Sequence, residues 1–345
     1  MTQKNWRRFR EGELNWHLLE QRAAILRATR DFFQERGYLE FDAPLLTPYP
    51  TLDANILSLE TVLTTENKKI PLYLHTSPEH AMKKYLVAGA EKIFFLGKVF
   101  RNDELTRLHN PEFTMVEWYR TQANHQDIQE ETEALILHIV RALQKNNILS
   151  YQDRKTDLSR PWATLSLIDL FREKAGIDLN QALDTEGIKR QASHLSCHIT
   201  DEDDWESCFH KIYLDYIEPD LGSNCPVWIS DYPSQMGLMA KRKTSDPRYV
   251  ERIELFIGGM ELANGYSELT DPEEQNKRFV QDQFEKQRQG LHYPVDDELI
   301  EAMQIGMPTC SGIALGFDRL MMLLTDTPRI EDILTFPLNQ SIRGT

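Results

Sequence analysis

No stretch of this chain approaches the roughly 20 consecutive apolar residues that span a bilayer, and the N-terminus has no apolar signal core. A soluble, cytoplasmic protein is expected. The four cysteines, Cys197, Cys208, Cys225 and Cys310, include no C-x-x-C pair and no His-Cys cluster at zinc spacing, which points to reduced thiols and no structural zinc. Positive charge is scarce: 39 Lys+Arg stand against 54 Asp+Glu, a net charge of -15. An acidic surface repels the phosphate backbone, so stable tRNA or DNA binding is disfavoured. Two short basic runs, Trp6-Arg7-Arg8-Phe9-Arg10 and Lys241-Arg242-Lys243, read as solvated surface. There is no internal repeat and no low-complexity tract.

What is present is a hydrophobic fraction of 41%, ample for a large buried core. Apolar residues recur at helical spacing from Leu18 to Arg36, and Gly37 supplies a stop. Ser77-Pro78-Glu79 reads as the start of a helix through about Val87. Lys92 to Arg101 and Phe113 to Arg120 are rich in Phe, Val, Ile and Tyr, predicting two strands joined by a polar loop. A helix-rich middle follows, with a helical insertion at about 145–220. Strands return at Val227 to Ser230 and Glu251 to Ala263, then a helix capped by Asp271, and finally helix, strand and helix over Asp297 to Leu324. This irregular mixture predicts an α+β fold with a mainly antiparallel sheet flanked by helices.

The segment FRNDELTRLHNPEFTMVEWY, Phe100 to Tyr119, carries the most chemistry. Side chains alternate on a strand, so Phe113, Met115, Glu117 and Tyr119 share one face, over roughly 20 Å. That is about the length of an amino acid joined to AMP. An inward core face would explain Phe113, Met115 and Tyr119 equally well, but Glu117 would then need a partner.

This segment resembles motif 2 of the class II aminoacyl-tRNA synthetases, in particular their lysyl branch. GIALGFDRL, Gly312 to Leu320, resembles motif 3, the Leu18 to Pro44 region resembles motif 1, and GMELANGYSELTDPEEQNKRF, Gly259 to Phe279, is similar to the lysyl-type metal and substrate segment. The likeness runs over about residues 18–340. It implies a catalytic domain over 18–345 after an N-terminal extension at 1–17, and a homodimer built through motif 1. About 17 residues before the motif 1 helix leave no room for an anticodon-binding barrel. The chain is therefore similar to the elongation factor P lysine ligases, which implies ATP and Mg²⁺ as requirements, (R)-β-lysine or lysine as the amino acid, and elongation factor P as protein acceptor.

The resemblance also assigns residues. Arg101 and Arg319 are the catalytic pair, Arg101 bridging the amino-acid carboxylate and the α-phosphate, Arg319 over the adenine opposite Phe113. Ser77, Pro78, Glu79, Glu117, Tyr119, Asn264, Glu268 and Ala314 would hold the amino acid. Asn102, Asp103, His109, Asn110, Glu261, Leu262 and Gly316 would join Arg101, Phe113 and Arg319 around ATP, with Glu254 and Glu261 on the metal. Three positions depart from the lysyl pattern: Asp103 replaces a glutamate, Leu108 stands before His109-Asn110 where an arginine is usual, with Arg107 one step earlier, and Ala314 replaces a glycine. Two other readings stay open: a small-molecule amide synthetase of the asparagine-forming type, and a non-catalytic regulatory paralogue.

Overall fold

In the computed structural model, which describes residues 4–53, 56–102, 104–237 and 239–342, the first long helix is α1, His17–Glu35. Its buried Ile25, Ala28, Thr29, Phe32 and Phe33 recur at three- and four-residue steps, a single stripe facing the core. Gly37 follows with φ +73°, a left-handed conformation that ends the helix and would strain any side chain.

The helix leads into an eight-stranded sheet of β1 (Leu39–Glu40), β2 (Lys92–Phe100), β3 (Glu112–Thr121), β4 (Ala163–Ser166), β5 (Val227–Ser230), β6 (Arg252–Ile257), β7 (Met260–Ser267) and β8 (Cys310–Gly316). The spatial order is β1-β2-β3-β8-β7-β6-β5-β4. Only the outermost pairs, β1 with β2 and β4 with β5, are parallel; the inner ones are antiparallel. The β2-β3 hairpin forms as its composition predicts, in register from Lys92 opposite Arg120 to Phe100 opposite Glu112.

Around the sheet lie α2 (Glu79–Val87), α3 (His125–Ala142), α4 (Trp205–Ile212), α5 (Pro272–Arg288) and α6 (Phe317–Thr325). Strand alternation sorts the two faces. Val116 and Trp118 of β3 and Ile313 and Leu315 of β8 join Phe33, Ile136 and Met321 in the main apolar core, beneath α1, α3 and α6. The residues between them, Met115, Glu117, Tyr119, Gly312 and Ala314, turn to the opposite face. Asp318, 1% exposed, ties the layers together. It accepts Arg22 Nη1 at 2.6 Å and the Thr114 backbone N–H at 2.7 Å, and Arg22 Nη2 also donates to Thr114 Oγ1 at 2.8 Å.

Two expectations need correction. The stretch at about 145–220 is not helical throughout: Ile148–Tyr151 pairs with Arg154–Asp157, and β4 docks on the edge of the main sheet. The cause is the two-residue turn Gln152-Asp153, whose φ values of +47° and +65° close a hairpin without glycine. Helices then gather around a second apolar cluster that includes Phe171, Phe209 and Ile212. The single strand expected over Glu251 to Ala263 is likewise a hairpin, because Gly258 and Gly259, at φ +64° and +79°, turn the chain between β6 and β7. The four cysteines are free. Among the described residues no helix is long and apolar enough to cross a membrane.

Candidate active site

The sheet face away from the helical layer opens on two adjoining cavities of about 670 and 490 Å³. Arg101, Met115, Arg252, Asn264 and Ala314 line both, so the chambers communicate at the middle of the sheet. Ser77, Pro78, Glu79, Glu117 and Tyr119 line the larger one; Glu254, Glu261, Leu262, His109, Asn110, Phe113, Gly316 and Arg319 line the smaller. Two expected residues lie elsewhere. Asn102 is exposed and lines neither chamber; its backbone N–H donates to Leu57 O at 2.8 Å, as alternation turns its side chain off the Arg101 face. Glu268 is fully buried behind the wall rather than on it. Asp103 is outside the described residues.

The larger chamber is rich in carboxylates. Glu117, 2% exposed, accepts Tyr119 Oη at 2.7 Å and Ser77 Oγ at 2.8 Å. Burial, then the charge of Glu79, pushes its carboxyl up to about 8. Glu79 Oε1 accepts Tyr266 Oη at 2.6 Å and Lys83 Nζ at 2.7 Å. Burial works to raise the Glu79 carboxyl, but Lys83 and these hydrogen bonds outweigh it and hold it below the usual carboxylate range. Glu268 Oε2 sits 2.5 Å from the same Lys83 Nζ; burial, opposed by Lys83 and reinforced by Glu79, sets its carboxyl at about 8. Ser77 Oγ also accepts the Glu79 backbone N–H at 3.0 Å and so fixes the start of α2. Tyr266, Arg252 and Lys83 escaped the sequence reading. The signal for Lys83 was its place on the buried stripe of α2 beside Met82 and Leu86, one helical turn after Glu79.

The smaller chamber gathers arginines and a ring. The Arg101 guanidinium lies 5.3 Å from the Phe113 centroid and 3.7 Å from Glu104 Oε1, and its Nε is buried without a hydrogen bond among the described residues. A planar donor is thus left open between the chambers. Arg319 Nη1 donates to Glu261 O at 2.8 Å, and its Nη2 closely contacts His109 Nε2. Burial and then the Arg319 charge hold the His109 ring below its ordinary value, hence neutral. Leu108 lines this chamber, whereas Arg107 turns outward to Pro328 O and Gln152 Oε1, each at 2.9 Å. Asn110 braces the loop: its amide donates to Glu112 O at 2.7 Å and accepts Leu338 N–H at 3.0 Å.

Two carboxylates, Glu254 and Glu261, line the smaller chamber. Glu254 accepts Tyr232 Oη at 2.5 Å and Arg252 Nη2 at 2.7 Å, and its carboxyl is raised by burial, against Arg252, with help from the Glu261 charge. The Glu261 side chain is 39% exposed. Among the described residues no group of three or more His, Cys, Asp or Glu could hold a metal. Two oxygen donors suit Mg²⁺, which completes its shell with water and phosphate oxygens.

The family model described as tRNA synthetases class II (D, K and N) matches residues 2–340. The chain belongs to that family. The α+β, mostly antiparallel sheet is the catalytic fold of this class II synthetase family. It is 34% identical over 318 residues to a lysine–tRNA ligase of Moorella thermoacetica, covering 92% of this chain and 64% of that one. The chain thus spans less than two thirds of the lysine–tRNA ligases it matches. It is 35% identical over 329 residues to an elongation factor P–(R)-β-lysine ligase of Yersinia enterocolitica and 36% identical over 330 residues to one of Hamiltonella defensa; in both alignments 94% of this chain and 95% of the relative are covered. Within a class II synthetase of this branch, a carboxylate-rich chamber joined at an arginine to a chamber bearing Phe113 and Arg319 can hold a cationic amino acid against a nucleotide.

Proposed function

We propose that this synthetase-family protein is an AMP-forming ligase that activates (R)-β-lysine, or lysine, as the aminoacyl-adenylate and transfers it to a lysine ε-amino group of elongation factor P. The observation that carries the reading is Arg101, open-handed at the junction between a chamber of carboxylates and a chamber of arginines. Relatives bearing the elongation factor P ligase name, which align over nearly their whole length, support the acceptor.

In this mechanism Glu79 and Glu117 take the amino groups of the substrate. An ion pair at 4 Å is worth on the order of 4 kcal/mol at an effective dielectric near 20, enough to reject uncharged analogues. Arg101 holds the substrate carboxylate against the α-phosphate by two donors at once, which cancels the repulsion between the anions. A carboxylate oxygen attacks the α-phosphorus and pyrophosphate leaves; the acceptor amine then attacks the acyl carbon, AMP departs with the bonding pair, and the amine's proton goes to solvent. Phe113 and Arg319 sandwich the adenine. Mg²⁺, held by Glu254 and Glu261, would neutralise phosphate charge. Ala314, opposite Glu117 and Asn264 across the strands, adds a methyl where an α-amino group would lie, favouring a β-amino acid. The family likeness also implies a homodimer, for which the exposed apolar side chains of Leu39, Leu46, Val62 and Leu63 are available as contacts.

Three carboxylates around the chamber oppose the asparagine-forming alternative, whose substrate would itself bring a second carboxylate. ATP–pyrophosphate exchange across lysine, both β-lysines and aspartate tests this. Exchange that depends on a lysine or β-lysine supports the reading; exchange driven by aspartate, or none, overturns it.

A further inference from the structure

Behind the wall of the larger chamber lies an ammonium group of the protein's own. Lys83, 1% exposed, lies between Glu79 Oε1 at 2.7 Å and Glu268 Oε2 at 2.5 Å, with the Tyr266 ring centroid 5.6 Å away. Glu268 Oε1 has no hydrogen bond among the described residues. Gly312 keeps the space beside it clear: a Cβ there would lie 2.9 Å from that oxygen and 2.2 Å from the Tyr119 ring.

The charges of the cluster can be counted. Fully ionised, Glu79, Glu117 and Glu268 carry three negative charges and Lys83 one positive, a difference of two; without ligand at neutral pH, Glu117 and Glu268, at about 8, hold their protons. The other groups facing it do not alter the sum. Tyr119 of β3 and Tyr266 of β7 are driven far above the usual phenol value by burial and the neighbouring carboxylates, and burial likewise raises the Cys310 thiol of β8. His80 of α2 turns away, to Asp296 Oδ2 at 3.2 Å.

We propose that Lys83 is a specificity-determining positioning residue, which pins Glu79 and Glu268 and lets the cluster ionise to the net two negative charges that a ligand with two ammonium groups neutralises. This rests on the chamber being a diamino-acid site. The substrate's own carboxylate is outside the count, because Arg101 takes it. A ligand with one ammonium group leaves one buried negative charge uncompensated, so a proton must remain on a carboxyl.

Without Lys83, Glu79 and Glu268 lose their counter-ion and both hold protons to higher pH, while an ammonium ligand requires them ionised. Lys83→Met should therefore raise the KM for the diamino acid roughly ten- to hundred-fold at neutral pH, with kcat and the KM for ATP little changed. That loss should shrink as pH rises past about 8, where the carboxyls begin to ionise without a counter-ion. Lys83→Arg keeps the charge and should keep the wild-type pH midpoint.

The experiment is amino-acid-dependent pyrophosphate exchange against pH for the wild type and both variants, with ¹³C NMR titration of glutamate carboxyls in the ligand-free proteins. Upward-shifted carboxyl midpoints and a pH-recoverable KM in Lys83→Met, against wild-type midpoints in Lys83→Arg, are expected. A KM change in Lys83→Met that ignores pH, or a Lys83→Arg midpoint displaced like that of Lys83→Met, overturns the proposal. Should Lys83→Met not fold, the Lys83→Arg midpoint decides alone. Should no amino acid support exchange in the wild type, the functional reading above fails, while the carboxyl titration still decides the role of Lys83.

Discussion

In the proposed mechanism, ammonium binding turns on Glu117. Its two oxygens are oriented by Tyr119 and Ser77, so Glu117→Gln keeps the shape of the site and removes its charge. The expected result is a rise of roughly a hundred-fold or more in the amino-acid KM, with the KM for ATP unchanged, read by pyrophosphate exchange. The pH dependence has a defined sign. Glu117 and Glu268 both titrate at about 8 when folded, above the ordinary carboxyl value of 4.5. The folded chain therefore binds protons that the unfolded chain has released, and stability falls as pH rises from about 4.5 to about 8. Thermal unfolding of the ligand-free protein should show that decline, and a bound diamino acid should reverse it; a melting temperature flat across this window would contradict the assignment. At this scale Glu117 stood out because a carboxylate on an apolar strand face needs a partner, whereas Arg101 and Glu79 stood out only through the family resemblance. Lys83 did not, because a lysine one turn after a glutamate on a helix usually marks a solvated surface pair.

The hairpin β2-β3 and the strand β8 are held to their helices by the Arg22-Asp318-Thr114 network, which joins all three motif segments. Asp318→Ala would leave Arg22, whose side chain is 16% exposed, without its partner, at a cost of about 3 kcal/mol to folding. Urea denaturation measures it, and Asp318→Leu with Arg22→Met should cost less than the two single changes summed. Ala314 belongs to this scale too, because strand register alone sets it opposite Glu117. Ala314→Gly should increase activity toward α-lysine in pyrophosphate exchange; a variant with no such gain counts against the steric argument. Elements with strong local signals were readable in advance: α1 by its periodic stripe, β2 and β3 by their β-branched and aromatic run, α5 by the Asp271 cap, whose side chain accepts two backbone N–H groups. The hairpin at 148–157 was not. Gln152 and Asp153 adopt positive φ although neither is glycine, and tertiary pairing decides such turns. Gly258-Gly259 carried the correct turn signal and was passed over.

The whole molecule is acidic, with a net charge of -15, and its chambers open on the sheet face that is left free by the helical layer. Such a surface suits a protein acceptor better than a nucleic acid, and charging of tRNA should be weak even at low salt. The edge strand Leu59–Thr64 exposes Val62 and Leu63, 56% and 50% respectively. Val62→Asp with Leu63→Asp should convert a dimer to a monomer in light scattering; a wild type that is already monomeric contradicts the homodimer. The central claim is that one chamber presents a lysine-type acyl group, activated by ATP in the other, to a protein amine. Intact-mass spectrometry of elongation factor P after incubation with this protein, Mg²⁺-ATP and (R)-β-lysine tests it most directly. The account predicts a mass gain of one lysyl residue, lost with Arg101→Ala. Unmodified elongation factor P, under conditions where pyrophosphate exchange shows the amino acid being activated, would contradict it.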